Sequence, residues 1–236
     1  MVRKHGYGVL YPQIEALLYD LDGTLADTEE ELFATYAELL TERGRDFSTF
    51  DYRTIVGVTA LEAARVVALA FSLDETPEDF LLQWRARLAE RLRTHLRPRP
   101  GAREALEKAK VSGATVALVT SAREDHANDV LDRLGFRSFF RVMITWESPG
   151  LTRHKPHPDP YQLAVKTLKV AKNRCVAFED SVNGVTSARD AGILVVGIPH
   201  RFSPREELEK IANHVVPDGK TIGDFDLRDI QHFLPQ

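Results

Sequence analysis

"LLYDLDGTLADT", Leu17 to Thr28, sets three aspartates within eight residues directly behind an apolar run. Like charges repel, so a chain that ends a buried strand by crowding Asp20, Asp22 and Asp27 needs either a compensating cation or a chemical use for them. The run leading into them, "EALLYD" (Glu15 to Asp20), is short and apolar. Four later runs share its character: "TVALVT" (Thr115 to Thr120), "RVMIT" (Arg141 to Thr145), "CVAFED" (Cys175 to Asp180) and "ILVVGI" (Ile193 to Ile198). All five read as buried parallel strands. Helical patterns fall before and between the later ones: "AREALEKAK", "EDHANDVLDRLG" with Gly135 as C-cap, "DPYQLAVKTL", and "GVTSARDAG" closed by Gly192. Strand alternating with helix predicts an α/β fold, a doubly wound parallel-sheet, Rossmann-like core.

From about Glu29 to Arg97 the alternation stops, because helical signals recur without a central strand. "EEELFATYAELLTERG" puts Leu32, Phe33, Tyr36, Leu39 and Leu40 on one face. "TALE" (Thr59 to Glu62) and "TPED" (Thr76 to Asp79) each read as a capping box, the second with Pro77 at the first helical position. The stiff exit "RPRPG" (Arg97 to Gly101) suits a boundary. The expected organisation is a catalytic core of residues 1–28 and 98–236, with residues 29–97 inserted as a helical cap. "SPRE" (Ser203 to Glu206) should open a further helix, and "FDLRDIQHFL" should form a last helix or an edge cover.

Bulk composition narrows the function. Of 236 residues, 31 are basic and 35 acidic, a net charge of −4 that gives no field for nucleic acid or an anionic membrane. No run of about 18 apolar residues exists, and "MVRKHGYGVLYPQ" lacks a signal peptide's apolar stretch, so a cytoplasmic protein is expected. The lone Cys175 sits in the apolar "CVAF" and reads as a buried structural thiol.

In sheets of this kind ligands bind beyond the carboxyl ends of the strands. Asp20 closes the first predicted strand, Thr120 and Ser121 the second, Glu179 and Asp180 the fourth. The cluster then holds at least four carboxylates, Asp20, Asp22, Glu179 and Asp180, whose repulsion calls for a hard divalent cation with oxygen ligands, Mg2+. Residues two apart on an extended segment face one way, so Asp20 and Asp22 can address one substrate atom. One carboxylate can attack a phosphoryl group while the other moves protons. Thr120 and Ser121, at a strand-to-helix transition, suit a phosphate oxygen. Lys155, held between His154 and Pro156, can bind a nucleophilic carboxylate and a phosphate together. His154 and His157 read as loop histidines beside this site. Trp146 and Glu147 either line the pocket or cover the sheet edge, and Arg53, Thr54, Val56 and Gly57 are candidate substrate contacts.

The ordered set "DLDGTLADT", "VTS", "KPHPDPY", "FEDSVNGVTSARDAG" resembles the four-motif signature of the haloacid dehalogenase-like hydrolase superfamily, in the branch with a helical cap after the first motif. The resemblance spans Glu15 to Ile198. It implies Asp20 as a nucleophile forming an aspartyl-phosphate and Asp22 as general acid/base. Thr120, Ser121 and Lys155 would bind phosphate, and Asp20, the Asp22 main-chain carbonyl, Glu179 and Asp180 would hold Mg2+. Dehalogenating members lack an aspartate at position 22, so phosphate transfer is the implied chemistry. "FEDSVNGV" with "GVTALEA" also looks like the sub-branch containing the β-phosphoglucomutases and many sugar-phosphate phosphatases. Leu32 stands where the mutases carry a cap histidine and Ala60 where they carry a cap arginine, which favours a phosphatase of a small phosphorylated metabolite. His154 replaces the usual glycine before the lysine, and "TWESPGLTRHKP" is longer than usual. The alternatives are a β-phosphoglucomutase-type phosphomutase and a non-catalytic metabolite-binding protein. Oligomeric state has no signal in the sequence.

Overall fold

A computed structural model describes residues 14–203 and 205–229. The N-terminal segment assessed for a signal peptide therefore lies outside the described residues, as do Pro204 and the end of the expected last helix.

Six strands form one parallel sheet in the order β3-β2-β1-β4-β5-β6. They are β1 (Ala16–Tyr19), β2 (Thr115–Val119), β3 (Val142–Ile144), β4 (Cys175–Glu179), β5 (Leu194–Gly197) and β6 (His214–Val215). The first five lie inside the five apolar runs. The two-residue β6 was not expected, since so short an edge pairing leaves no periodic signal. β1 is central: Ala16 pairs with Thr115 on one side and Cys175 on the other, and Tyr19 with Leu118 and Phe178. This register brings the ends of β1, β2 and β4 to one edge.

Alternation along the strands sends side chains to two separate cores. Leu17, Tyr19, Val116, Leu118, Val176 and Phe178 pack under α4 (Ala102–Ser112) and α5 (Glu124–Leu134). Ala16, Leu18, Ala117, Val119, Cys175 and Ala177 pack under α6 (Asp159–Leu168), α7 (Val182–Asp190) and the single-turn α8 (Arg205–Leu208). The Tyr19 and Phe178 rings stack at 4.6 Å between centroids. Gly135, at φ 67°, closes α5, and Gly192, at φ 79°, follows α7.

Between Thr28 and Leu96 the chain is helical: α1 (Glu29–Glu42), α2 (Ala60–Ala70), α3 (Pro77–His95) and two 3-10 turns. Tyr36, Leu39 and Leu40 of α1 are buried against Phe80, Trp84 and Leu88 of α3. Both expected capping boxes form only half of the motif. Thr59 and Thr76 accept from the backbone N–H of Glu62 and Asp79, but neither acidic side chain returns to the cap N–H. A reciprocal box forms instead at Thr221 and Asp224. The way into this region and the way out are paired: Asp27 N–H donates to Arg97 O (2.8 Å), Arg99 N–H to Leu25 O (2.9 Å), and Ala26 and Pro98 form an antiparallel bridge. No helix among the described residues is long and apolar enough to cross a membrane.

Candidate active site

The register delivers Asp20, Glu179 and Asp180 to the same point beyond the sheet. One oxygen from each lies within 4.8 Å of the others, and all three residues are buried. Lys155 Nζ donates to Asp20 Oδ1 (2.7 Å), to Val119 O (2.8 Å) and to Glu179 Oε1. Tyr161 OH also donates to Glu179 Oε1, at 2.5 Å. Burial works against the Lys155 charge, but the two carboxylates lift its pKa above the ordinary lysine value. Burial, with Glu179 and Asp180 adding repulsion, holds the Asp20 pKa well above the usual carboxylate range despite Lys155. Burial raises Glu179 as well. One buried ammonium thus faces three clustered carboxylates.

Glu179 Oε2 is buried and has no hydrogen-bond partner among the described residues. An orphaned carboxylate oxygen is costly in a dry site, and with Asp20 and Asp180 it makes an all-oxygen donor set of the kind that holds a hard divalent cation. A side chain at Gly184 in the first turn of α7 would occupy the space of that carboxylate. The Asp22 side chain stands outside this triad. Its Oδ1 accepts from Thr28 Oγ1 (2.7 Å) and lies 3.2 Å from His126 Nε2. Burial would raise the Asp22 pKa, but His126 and Thr28 bring it below the ordinary value, and Asp22 correspondingly raises His126 against the opposing effect of burial.

Above these groups lies a cavity of about 500 Å3, floored by Asp20, Asp22, Thr120, Ser121, Lys155 and Asp180. Its walls come from the helical region, including Leu32, Tyr36, Ile55, Trp84 and Leu88, and from α5. Thr120 Oγ1 accepts from the Ala122 N–H (3.0 Å), which shapes the turn after β2. Gly57 lines the cavity at φ 75°, where an added side chain would meet the Ser181 side chain. Arg53 is not brought to the site. It is half exposed, 2.7 Å from Asp51 Oδ2 and 3.7 Å from Glu207, and does not line the cavity. Asp27, third of the opening aspartates, faces Arg99 at 3.4 Å and is part of no metal cluster among the described residues. Trp146 lines the cavity and stacks on His154 at 3.4 Å, whereas Glu147 accepts from the Glu124 N–H.

Three contributors escaped the sequence reading. His126 reaches Asp22. His200 Nε2 is 2.8 Å from Asp180 Oδ2. Glu29 lines the cavity, accepts from Tyr52 OH (3.1 Å), and is held well above the usual carboxylate range by burial and by Asp180 and Asp22. The spacing of Glu29 from Asp22 on the helix side of Thr28 was the one available signal.

The haloacid dehalogenase-like hydrolase family model matches residues 17–198. A Thermotoga maritima protein named phosphorylated carbohydrates phosphatase is 31% identical over 83% of this chain and 90% of its own. A Colwellia psychrerythraea phosphoglycolate phosphatase is 29% identical over 83% and 89%. The solved structure of CbbY from Rhodobacter sphaeroides in complex with phosphate superimposes with a TM-score of 0.74 at 25% identity, covering 89% of this chain and 96% of that one.

Proposed function

We infer that this chain, which belongs to the haloacid dehalogenase-like hydrolases, is a Mg2+-dependent phosphatase of small phosphorylated carbohydrates working through an aspartyl-phosphate on Asp20. The observation that carries the reading is the Asp20 carboxylate at the cavity floor, with one oxygen held by Lys155 and Asp22 two residues on. No hydrogen bond among the described residues reaches Asp20 Oδ2, which leaves that oxygen for attack.

In the reaction, Asp20 attacks phosphorus as Asp22, protonated for this step although His126 and Thr28 favour its ionised form, gives a proton to the departing alcohol oxygen. Water then attacks the aspartyl-phosphate, passing its proton to Asp22 as the bond from phosphorus to the Asp20 oxygen breaks. Lys155 balances charge at Asp20 through both steps, and Thr120 and Ser121 hold phosphoryl oxygens. Asp20, Glu179, Asp180 and the Asp22 carbonyl would hold Mg2+. When bound, it neutralises phosphoryl charge and favours the ionised form of Asp20. The helical walls of residues 29–97 serve as the cap that selects the leaving group, with Gly57 at its edge. Leu32 and Ala60 both line the cavity. Those two positions therefore lack the imidazole and guanidinium that the mutase resemblance calls for, which supports hydrolysis over transfer to another hydroxyl, while Arg85, Arg93, Arg123 and Arg133 line the cavity elsewhere.

The test is phosphate release from a panel of sugar phosphates and related monoesters with Mg2+, native chain against Asp20→Asn. Release from a narrow set, abolished by the substitution, is expected. Glucose 6-phosphate formed from β-glucose 1-phosphate with a bisphosphate primer, without free phosphate, would replace this reading by a phosphomutase.

A further inference from the structure

We propose that His126 is a positioning residue that fixes the proton-transfer carboxylate of Asp22, a role that rests on the phosphatase reading above. The geometry is specific. Both donors to Asp22, Thr28 Oγ1 at 2.7 Å and His126 Nε2 at 3.2 Å, converge on Oδ1. No hydrogen bond among the described residues reaches Oδ2, which leaves the second oxygen for proton transfer at the cavity that both residues line. A carboxyl held by two donors on one oxygen has its plane fixed, and proton transfer is sensitive to that alignment.

The two tethers come from different parts of the fold. Thr28 precedes α1, where the chain leaves the sheet for the helical region. His126 sits in the first turn of α5, whose Ala127, Val130 and Leu131 are fully buried against the sheet. His126 therefore ties Asp22 to a helix packed on the sheet that carries Asp20. With Thr28 as the sole tether, Asp22 would follow the entrance to α1 instead.

The step it serves balances as follows. The Asp20 oxygen forms a bond to phosphorus and the bond to the leaving oxygen breaks, its electron pair going to that oxygen, which takes the proton from Asp22 Oδ2. The carboxylate left on Asp22 keeps its two donors on Oδ1. How much this proton transfer matters depends on the leaving group: a sugar alkoxide needs the proton, whereas p-nitrophenolate departs without it.

The experiment compares kcat/KM of native, His126→Ala, His126→Gln and Asp22→Asn proteins on a sugar phosphate, phenyl phosphate and p-nitrophenyl phosphate. General acids contribute about 10²–10⁴-fold, so losing the alignment should cost His126→Ala about 10- to 100-fold on the sugar phosphate. The loss should shrink to within about threefold on p-nitrophenyl phosphate, whose departure draws little on that general-acid contribution. His126→Gln, whose amide can donate to the same oxygen, should recover most of the loss. A uniform loss across the three substrates in His126→Ala, beside a leaving-group-dependent loss in Asp22→Asn, would overturn the proposal and leave the phosphatase reading standing. Absence of phosphate release by the native protein from all three would remove that reading and the proposal with it.

Discussion

His200 Nε2 lies 2.8 Å from Asp180 Oδ2, while Thr24 Oγ1 donates to the other oxygen, Oδ1, at 3.1 Å. Asp180 is thus held at both oxygens, and the His200 side chain is itself almost wholly buried. Partners of this kind orient a metal ligand, and losing one typically costs about 10–100-fold in metal affinity. His200→Ala should raise by that factor the Mg2+ concentration giving half of the maximal thermal stabilisation. An unchanged midpoint would mean that Asp180 needs no such support.

Lys155 is a buried cation paired with Asp20 and Glu179. Removing one partner of a buried ion pair typically costs about 3–5 kcal/mol. Lys155→Met should therefore lower the melting temperature in EDTA by about 10 °C for a chain of this size. The deficit should depend on pH. Asp20 and Glu179 both bind protons more tightly folded than unfolded. Each such group's contribution is complete below its unfolded pKa of about 4 and lost as pH rises through the raised folded value. The deficit should be smaller at pH 5 than at pH 8, and melting curves at the two values check this.

Gly184 leaves room for the Glu179 carboxylate. A methyl group there would collide with both of its oxygens, and Glu179 is fully buried. Gly184→Ala should destabilise by about 1–3 kcal/mol, the usual cost of overpacking. It should also weaken Mg2+ binding by displacing Glu179 Oε2. Denaturant titration and metal titration of the same variant test both effects, and a variant matching the native protein in each would exclude the steric account.

Cys175 opens β4 and is fully buried, and burial pushes its thiol up to about 12. The thiolate is the reactive form, so at pH 8 only about one molecule in 10⁴ is poised to react. Iodoacetamide should leave the folded protein unmodified and alkylate it fully in denaturant, as read by intact mass. Labelling of the folded chain at a free-thiol rate would contradict the observed burial.

Much of the site was legible because parallel-sheet topology does the assembling. Once "LLYD", "LVT" and "FED" are read as adjacent parallel strands, Asp20, Thr120, Glu179 and Asp180 must meet at their carboxyl ends. Lys155 needed more, since it lies on no strand, and its place followed from the motif order. The histidines were not legible. His126 occupies an ordinary polar position of an amphipathic helix, and His200 sits in a loop beyond β5, so neither interrupts a hydrophobic period. Arg53 shows the opposite limit: a cation four residues before Gly57 reads as a substrate contact, and in the fold its local partner Asp51, two residues away, holds it. The half-formed capping boxes show the same limit. A sequence can specify the cap residue, but the returning side chain has other partners, as when Thr76 Oγ1 donates to Asp79 Oδ2 and occupies that carboxylate.

The pairing of Ala26 with Pro98 makes the whole excursion through α1, α2 and α3 topologically equivalent to the tip of a hairpin. Loop-closure entropy rises only logarithmically with length, so a long excursion anchored by such a ribbon burdens the sheet little more than a short one would. The strand pairings are all made outside those two positions, although the excursion shares one hydrophobic cluster with β1, β2 and β4. On the cap reading proposed above, exchanging the suspended segment is expected to alter what is admitted to the carboxylates while leaving the strands that carry them paired as before.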